Sequence, residues 1–169
     1  MTSPDHDRRA FHAVLKSFQT MMLLTKTEDG PNRDLRGRPM HVAEVDEHDT
    51  VWLVTSEQTG KVAEIQHDPH VVLVGQTAMR QALVSGIATL QHDQARIDSL
   101  WSESWKVWFP KGKRDPSIVL IAVAMRHAEY WDTSGTNLLS YVWEATKAYV
   151  KGEKVEERNL REQHGVVDR

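Results

Sequence analysis

Between Met21 and Trp131 the apolar residues come in short runs, each closed by a turn signal. This rhythm constrains the fold more than any other feature. The run 21–27 ends at Asp29-Gly30-Pro31-Asn32, a strong turn sequence. A second run, 39–45, is entered through an arginine-rich segment and closed by Glu47-His48-Asp49. Val51-Trp52-Leu53-Val54-Thr55 is apolar on both faces, as a strand covered on both sides must be. Further strands are expected over 71–74, 80–90 and 117–131. Gly86 marks a bulge or a close approach within the longer of the first two. Six strands in hairpin-like succession predict a mainly β fold, a small antiparallel barrel with peripheral helices.

Helical signals fall between and around these runs. Ser3-Pro4 starts a helix whose stripe is Phe11, Val14, Leu15 and Phe18. Residues 59–67 read as a short helix capped by Thr59 and stopped by Asp68-Pro69. Asp93 caps another that carries Ile97, Leu100, Trp101, Trp105 and Trp108. Helical spacing returns over 137–149, and from Lys151 onward the chain reads as a frayed helix or charged tail. The expected division is residues 1–132 as the barrel domain with its N-terminal helix, and 133–169 as a C-terminal helix and tail.

The chain has 169 residues, one domain's worth, and no cysteine. Disulfides, thiolate metal sites, iron–sulfur clusters and a cysteine nucleophile are thereby excluded. The formal net charge of −3 argues against a dedicated nucleic-acid binder. No apolar run approaches the ~20 residues that span a bilayer. The polar, acidic N-terminus is not a signal peptide, so a cytoplasmic protein without membrane association is expected. The nine histidines form neither a His-Glu-x-x-His motif nor a helical i, i+4 pair, and no metal site is expected. A Gly-x-Ser-x-Gly elbow, a Walker loop and a Gly-x-Gly-x-x-Gly loop are all missing.

What stands out is a set of phosphate-type ligands at strand ends. Arg33, Arg36 and Arg38 fall within six residues before the second strand, and an arginine fork suits a phosphate dianion. Thr55 and Ser56 offer two hydroxyls at the end of the third. Thr59-Gly60-Lys61 opens a helix, where free N–H groups and the macrodipole favour an anion. Gly60 allows close approach and Lys61 adds a point charge. The alternative is a capped helix with solvated basic residues. Trp101 and Trp105 fit a helix packed on the barrel, whereas Trp108-Phe109-Pro110 sits where that helix ends. An exposed indole there can cover a flat heteroaromatic ring.

These segments resemble the FMN-binding split-barrel superfamily typified by pyridoxamine 5′-phosphate oxidase, and more closely its bacterial general stress protein branch. The resemblance is carried by Gly37-Arg38-Pro39-Met40, Leu53-Val54-Thr55-Ser56, Lys61-Val62-Ala63-Glu64-Ile65 with Asp68-Pro69, Val84-Ser85-Gly86-Ile87-Ala88, Trp108-Phe109-Pro110 and Ala128-Glu129-Tyr130-Trp131-Asp132. They run in the family's order over about two thirds of the chain.

The resemblance implies a six-stranded antiparallel FMN-binding split barrel that dimerises and holds the flavin in clefts between subunits. It implies that Arg38, Pro39, Met40 and His41 line the ring and phosphate, that Val54 and Thr55 contact both, and that Gly60-Lys61 reaches the phosphate. Gln81, in the Arg80-Gln81 pair, would reach the flavin. The oxidase's substrate-phosphate ligands and basic C-terminal segment have no counterpart in Arg96-Ile97-Asp98-Ser99-Leu100-Trp101 or Asn159-Leu160-Arg161-Glu162-Gln163. Pyridoxal phosphate synthesis is therefore not expected. The expected protein is a homodimeric, redox-related general stress protein that binds FMN, with FAD as the alternative cofactor. A flavin-dependent oxidoreductase with its own small-molecule substrate and a non-catalytic flavin store or sensor remain as alternatives. A haem- or deazaflavin-binding barrel is more remote, and no catalytic acid or base is singled out.

Overall fold

In the computed structural model, which describes residues 4–27, 34–134 and 164–168, seven strands form one antiparallel sheet. They are β1 (Thr20–Lys26), β2 (Leu35–Val45), β3 (Val51–Ser56), β4 (His70–Gln76), β5 (Arg80–Gln91), β6 (Ile118–Asp132) and β7 (His164–Asp168). The order is β3-β2-β1-β4-β5-β6-β7, and a β3–β6 pairing closes the first six into a barrel. Three helices attach to it: α1 (Pro4–Leu15), α2 (Gly60–His67) and α3 (Gln94–Leu100). The six expected strands are all present.

β2 serves two neighbours. Its first half pairs with β1, from Lys26↔Leu35 to Thr20↔His41. Its second half pairs with β3, with a register shift between Val42 and Glu44. That irregularity turns the strand from one wall of the barrel to the next. The strand also begins before the expected residue 39, because the arginine-rich segment itself pairs with β1. A second shift lies between Ser85 and Gly86. A Cβ on Gly86 would stand 2.5 Å from the Ala124 carbonyl oxygen, so the close approach read at this glycine is real.

The apolar pattern sorts into two cores. Leu23, Leu53, Leu73, Val84, Ile121 and Val123 fill the barrel, and Phe11, Val14 and Leu15 of α1, with Phe18 just after it, belong to the same cluster. The alternate residues Val54, Ile118 and Leu120 face outward and join Ile97, Trp105 and Phe109 in a second cluster. β3 and β6 are thus covered on both faces, as the unbroken apolar runs require.

Three sequence expectations change. The tryptophan-bearing helix is not continuous. α3 stops at Leu100, Trp101 and Ser102 are extended, and a separate 3-10 turn covers Glu103–Val107. The break lets Trp105 turn fully into the outer core while Trp101 keeps part of its surface. Thr59 does not cap α2 with its side chain; its hydroxyl donates to the Ser56 carbonyl at 2.9 Å instead. Residues 164–168 are a strand on the outer edge of β6, not a tail. The Ser3 cap, Arg33 and the helix expected over 137–149 lie outside the described residues.

Candidate functional site

The outer wall of the barrel carries a cleft of about 530 Å³, within the usual range for small-molecule sites. β2 supplies Pro39, Met40 and His41, β3 supplies Val54, Thr55 and Ser56, and the entry to α2 supplies Thr59 and Lys61. The opposite wall is Val107, Trp108 and Phe109. Nine of the twelve residues singled out in the sequence line this one space. The β2 bulge and the 56–60 turn bring them together, since neither strand alone spans the cleft.

One end of the cleft is cationic. Lys61 Nζ donates to Thr55 Oγ1 at 2.9 Å, across the junction of β3 and α2. Burial, and after it the positive charge of Arg38, lowers the Lys61 ammonium's pKa, with Glu64 acting in the opposite direction. An anion placed beside it would relieve both penalties. No side-chain oxygen caps α2; the Val62 N–H donates to the Thr59 carbonyl, and the Gly60 and Lys61 N–H groups before it are open to an acceptor.

Arg38 stands behind this end rather than in it. Its Nη1 donates to Thr25 Oγ1 and its Nη2 to Glu64 Oε1, each at 2.8 Å. Thr25 Oγ1 in turn donates to Glu64 Oε2 at 2.5 Å, and Arg36 lies 3.5 Å from Glu64 Oε1. Thr25 and Glu64 are both buried. Burial pushes the Glu64 carboxyl up, but the hydrogen bonds from Arg38 and Thr25 and the two arginine charges outweigh it and hold the pKa low. The set Arg36, Arg38, Lys61 and Glu64 therefore carries two positive charges in excess. That matches the charge of about −1.5 to −2 on a phosphate monoester near neutral pH.

The other end is aromatic. The Trp108 side chain is 59% exposed at the cleft mouth and Val107 81%, an apolar lip facing solvent. The His41 ring lies 6.3 Å from both the Trp105 and Trp108 ring centroids. Trp105 is buried, and its indole N–H has no acceptor.

Three sequence-derived residues do not line the cleft. Arg38 is tied to Glu64, and Gly60 is the first residue of α2. Gln81 lies exposed on β5 opposite Gln76 and Trp131; its neighbour Arg80 pairs with Asp132 at 3.1 Å. Thr25 and Glu64 are functional candidates that sequence reasoning missed. Glu64 sits one turn after Lys61 on α2, and that spacing was the available signal.

A closed six-stranded barrel with a cationic and aromatic cleft on its outer wall defines a split-barrel protein. The family model described as pyridoxamine 5′-phosphate oxidase like matches residues 6–156, and the chain belongs to that family. General stress protein 26 of Bacillus subtilis (strain 168) is 30% identical over 79 residues, 44% of this chain and 56% of the relative. The match thus spans little more than half of that relative's length. Among solved structures, a candidate general stress protein 26 from Jannaschia sp. CCS1 superposes with a TM-score of 0.74 at 21% identity, covering 96% of this chain and 98% of the other. The general stress FMN/FAD binding protein of Xanthomonas citri gives 0.64 at 25% identity, covering 78% and 92%. Within the family the chain is thus similar to general stress protein 26. Among the described residues no helix is long and apolar enough to cross a membrane, and no group of side chains is arranged to hold a metal ion.

Proposed function

We propose that this protein binds FMN in the cleft, as a homodimer, and works in a redox-related stress response. One observation carries the reading. Lys61, Thr55 and the uncapped start of α2 converge on one end of a cleft whose other end is an exposed indole. A phosphate and a flat heteroaromatic ring, joined by a short chain, complement those two ends. The X. citri relative, an FMN/FAD binding protein, supports a flavin over other phosphorylated aromatics. Met40, His41 and Val54 would lie along the ring, with Trp108 over it. Thr55, Ser56, Thr59 and Lys61 would hold the phosphate. The flavin supplies hydride and single-electron chemistry when bound, and the protein's part is to position it and exclude water.

Dimerisation has its own support. Pro39, Met22, Val74 and Leu83 stand side by side across β2, β1, β4 and β5. Met22 and Leu83 are among the exposed large apolar side chains. This row starts at the cleft, because Pro39 also lines it. A second copy covering the row would complete the cleft wall.

The test is a titration of the purified protein with FMN and riboflavin, alongside a mass by light scattering. FMN binding at least tenfold tighter than riboflavin, with a dimer mass, is the expected result. Equal affinities would refute the phosphate assignment, and a monomer that binds FMN tightly would refute the shared cleft.

A further inference from the structure

A second pocket, of about 290 Å³, takes part of its lining from Lys106, next to the Val107-Trp108 lip of the cleft. Trp101, Lys106, Lys111, Lys113 and Arg114 line it, and the Glu103 carboxylate lies among them. Four of the chain's 21 lysines and arginines thus gather within nine residues of a protein whose net charge is −3. Lys106 pairs with Glu103 at 2.5 Å and Arg114 with Asp98 at 3.2 Å. Lys111 and Lys113 form no ion pair among the described residues. The nearby Asp115 is engaged by the Ser117 amide and hydroxyl.

Trp101 is the one aromatic side chain that lines this pocket. Its indole N–H donates to Glu103 at 2.9 Å, and Trp105 meets it edge-on at 5.7 Å. These contacts fix the ring while leaving it part-exposed. The pocket and the cleft are close neighbours. Val107 and Trp108 line the cleft, Lys106 lines the pocket, and only the Trp101–Trp105 and Trp105–His41 ring contacts separate Trp101 from His41.

We propose that this basic pocket is a subsite for the adenosine-phosphate part of a dinucleotide, with the base on Trp101 and phosphate among the lysines and Arg114. Lysines bind phosphate as point charges and arginine as a fork. An indole face is a stacking surface for a base. The proposal rests on the flavin reading for its neighbouring ligand. The ligand this placement favours is an adenine dinucleotide that donates electrons to bound FMN, because the pocket adjoins the aromatic end of the cleft; the adenylate half of FAD, which would leave from the phosphate end, is the competing source that the experiment separates.

The experiment titrates ADP, 2′,5′-ADP, FMN and FAD into the full-length protein and into Lys111→Glu/Lys113→Glu, by calorimetry and tryptophan fluorescence. Saturable adenosine diphosphate binding is expected, at least tenfold weaker in the variant and weakening with salt. FMN affinity should stay within twofold. Loss of FAD affinity in the variant assigns the subsite to FAD. Unchanged FAD affinity, with NADP⁺ binding to the FMN-loaded protein lost, assigns it to the electron donor. Adenosine diphosphates that do not bind at millimolar concentration, or bind both proteins equally, overturn the proposal. Should FMN fail to bind while the adenosine diphosphates bind and respond to the variant, the flavin reading falls and the subsite stands.

Discussion

Lys61→Ala isolates the phosphate end of the cleft. The ammonium is part-buried, held to Thr55 at 2.9 Å, and has its pKa lowered by burial and by Arg38. A hydrogen bond to a charged group contributes ~1.5–3 kcal/mol, so its loss should weaken FMN binding roughly 10- to 150-fold. Riboflavin shares the ring but not the phosphate, so its affinity should stay within about twofold. The unliganded fold should hardly notice. Removing the Thr55 bond costs about 0.5–1.5 kcal/mol, while relief of the Arg38 repulsion and the better helix propensity of alanine act the other way. A net change within ~1 kcal/mol moves the melting temperature by about 2–4 °C in a chain of this size. Fluorescence titration of both flavins and a melting curve of the unliganded protein give all three quantities. An FMN affinity within about twofold of wild type, on the order of 0.4 kcal/mol, refutes Lys61 as a phosphate ligand. A parallel loss for riboflavin refutes it equally, because the defect would then be in the cleft and not in its charge.

Gly86→Ala should lower stability by roughly 1–3 kcal/mol, since its Cβ would stand 2.5 Å from the Ala124 carbonyl oxygen; an unchanged denaturation midpoint would contradict this. Asp68 is held at about 2, below its ordinary 3.8, by hydrogen bonds from the His70 side chain and backbone, with Lys26 adding to them. Its folded pKa is depressed, so its contribution is complete above the unfolded value and fades as pH falls toward 2. Asp68→Asn should flatten acid unfolding in that window, and parallel curves for the two proteins would count against it. His127 has a raised pKa, first from Asp168 at 2.5 Å and then from Glu129. With a raised folded pKa, its hold on β7 is full below 6.5 and lessens as pH rises through the folded value. Amide exchange of Val166 and Val167, corrected for intrinsic rates, should quicken over that rise in wild type and not in His127→Ala.

The barrel was legible because its strands obey local rules. Each run ended in a turn sequence, and double-sided burial showed as unbroken apolar residues in β3 and β6. β7 was not legible. His164-Gly165-Val166-Val167-Asp168 has too few apolar residues to announce a strand, and it is held through partners distant in sequence. A Cβ on Gly165 would lie 2.3 Å from the Tyr130 ring, so the strand seats its glycine over a side chain more than thirty residues away. The tryptophan segment misled for a related reason. Its spacing satisfied a helix, but two short segments with an extended link present Ile97, Leu100, Trp101 and Trp105 to the outer face of β3 and β6 and leave Trp108 exposed. Periodicity reports which residues need burial and does not fix the backbone that buries them.

The cleft was legible residue by residue, but its electrostatics were not. Read along the chain, Arg36 and Arg38 look like direct phosphate ligands, because nothing local consumes their charge. Folding brings Glu64, 26 residues from Arg38, within 2.8 Å of that guanidinium, and Thr25 closes the triad. A buried carboxylate in this position is stable only while paired, so Arg38 is committed to Glu64. Lys61 and the start of α2 are left facing the cleft. The arrangement reduces three cations to two excess charges and fixes where they sit. A site of that charge is matched to a terminal phosphate monoester, which carries nearly two negative charges. A bridging phosphodiester carries only one. The same physics separates the two basic regions of the molecule. Around Glu64 the carboxylate is buried and paired with a part-buried Arg38, and Lys61 is held to Thr55 beside them, suited to one phosphate in one place. Around Trp101 the lysines are exposed and only partly paired, suited to a mobile nucleotide tail. Salt should therefore weaken binding at the second far more than at the first.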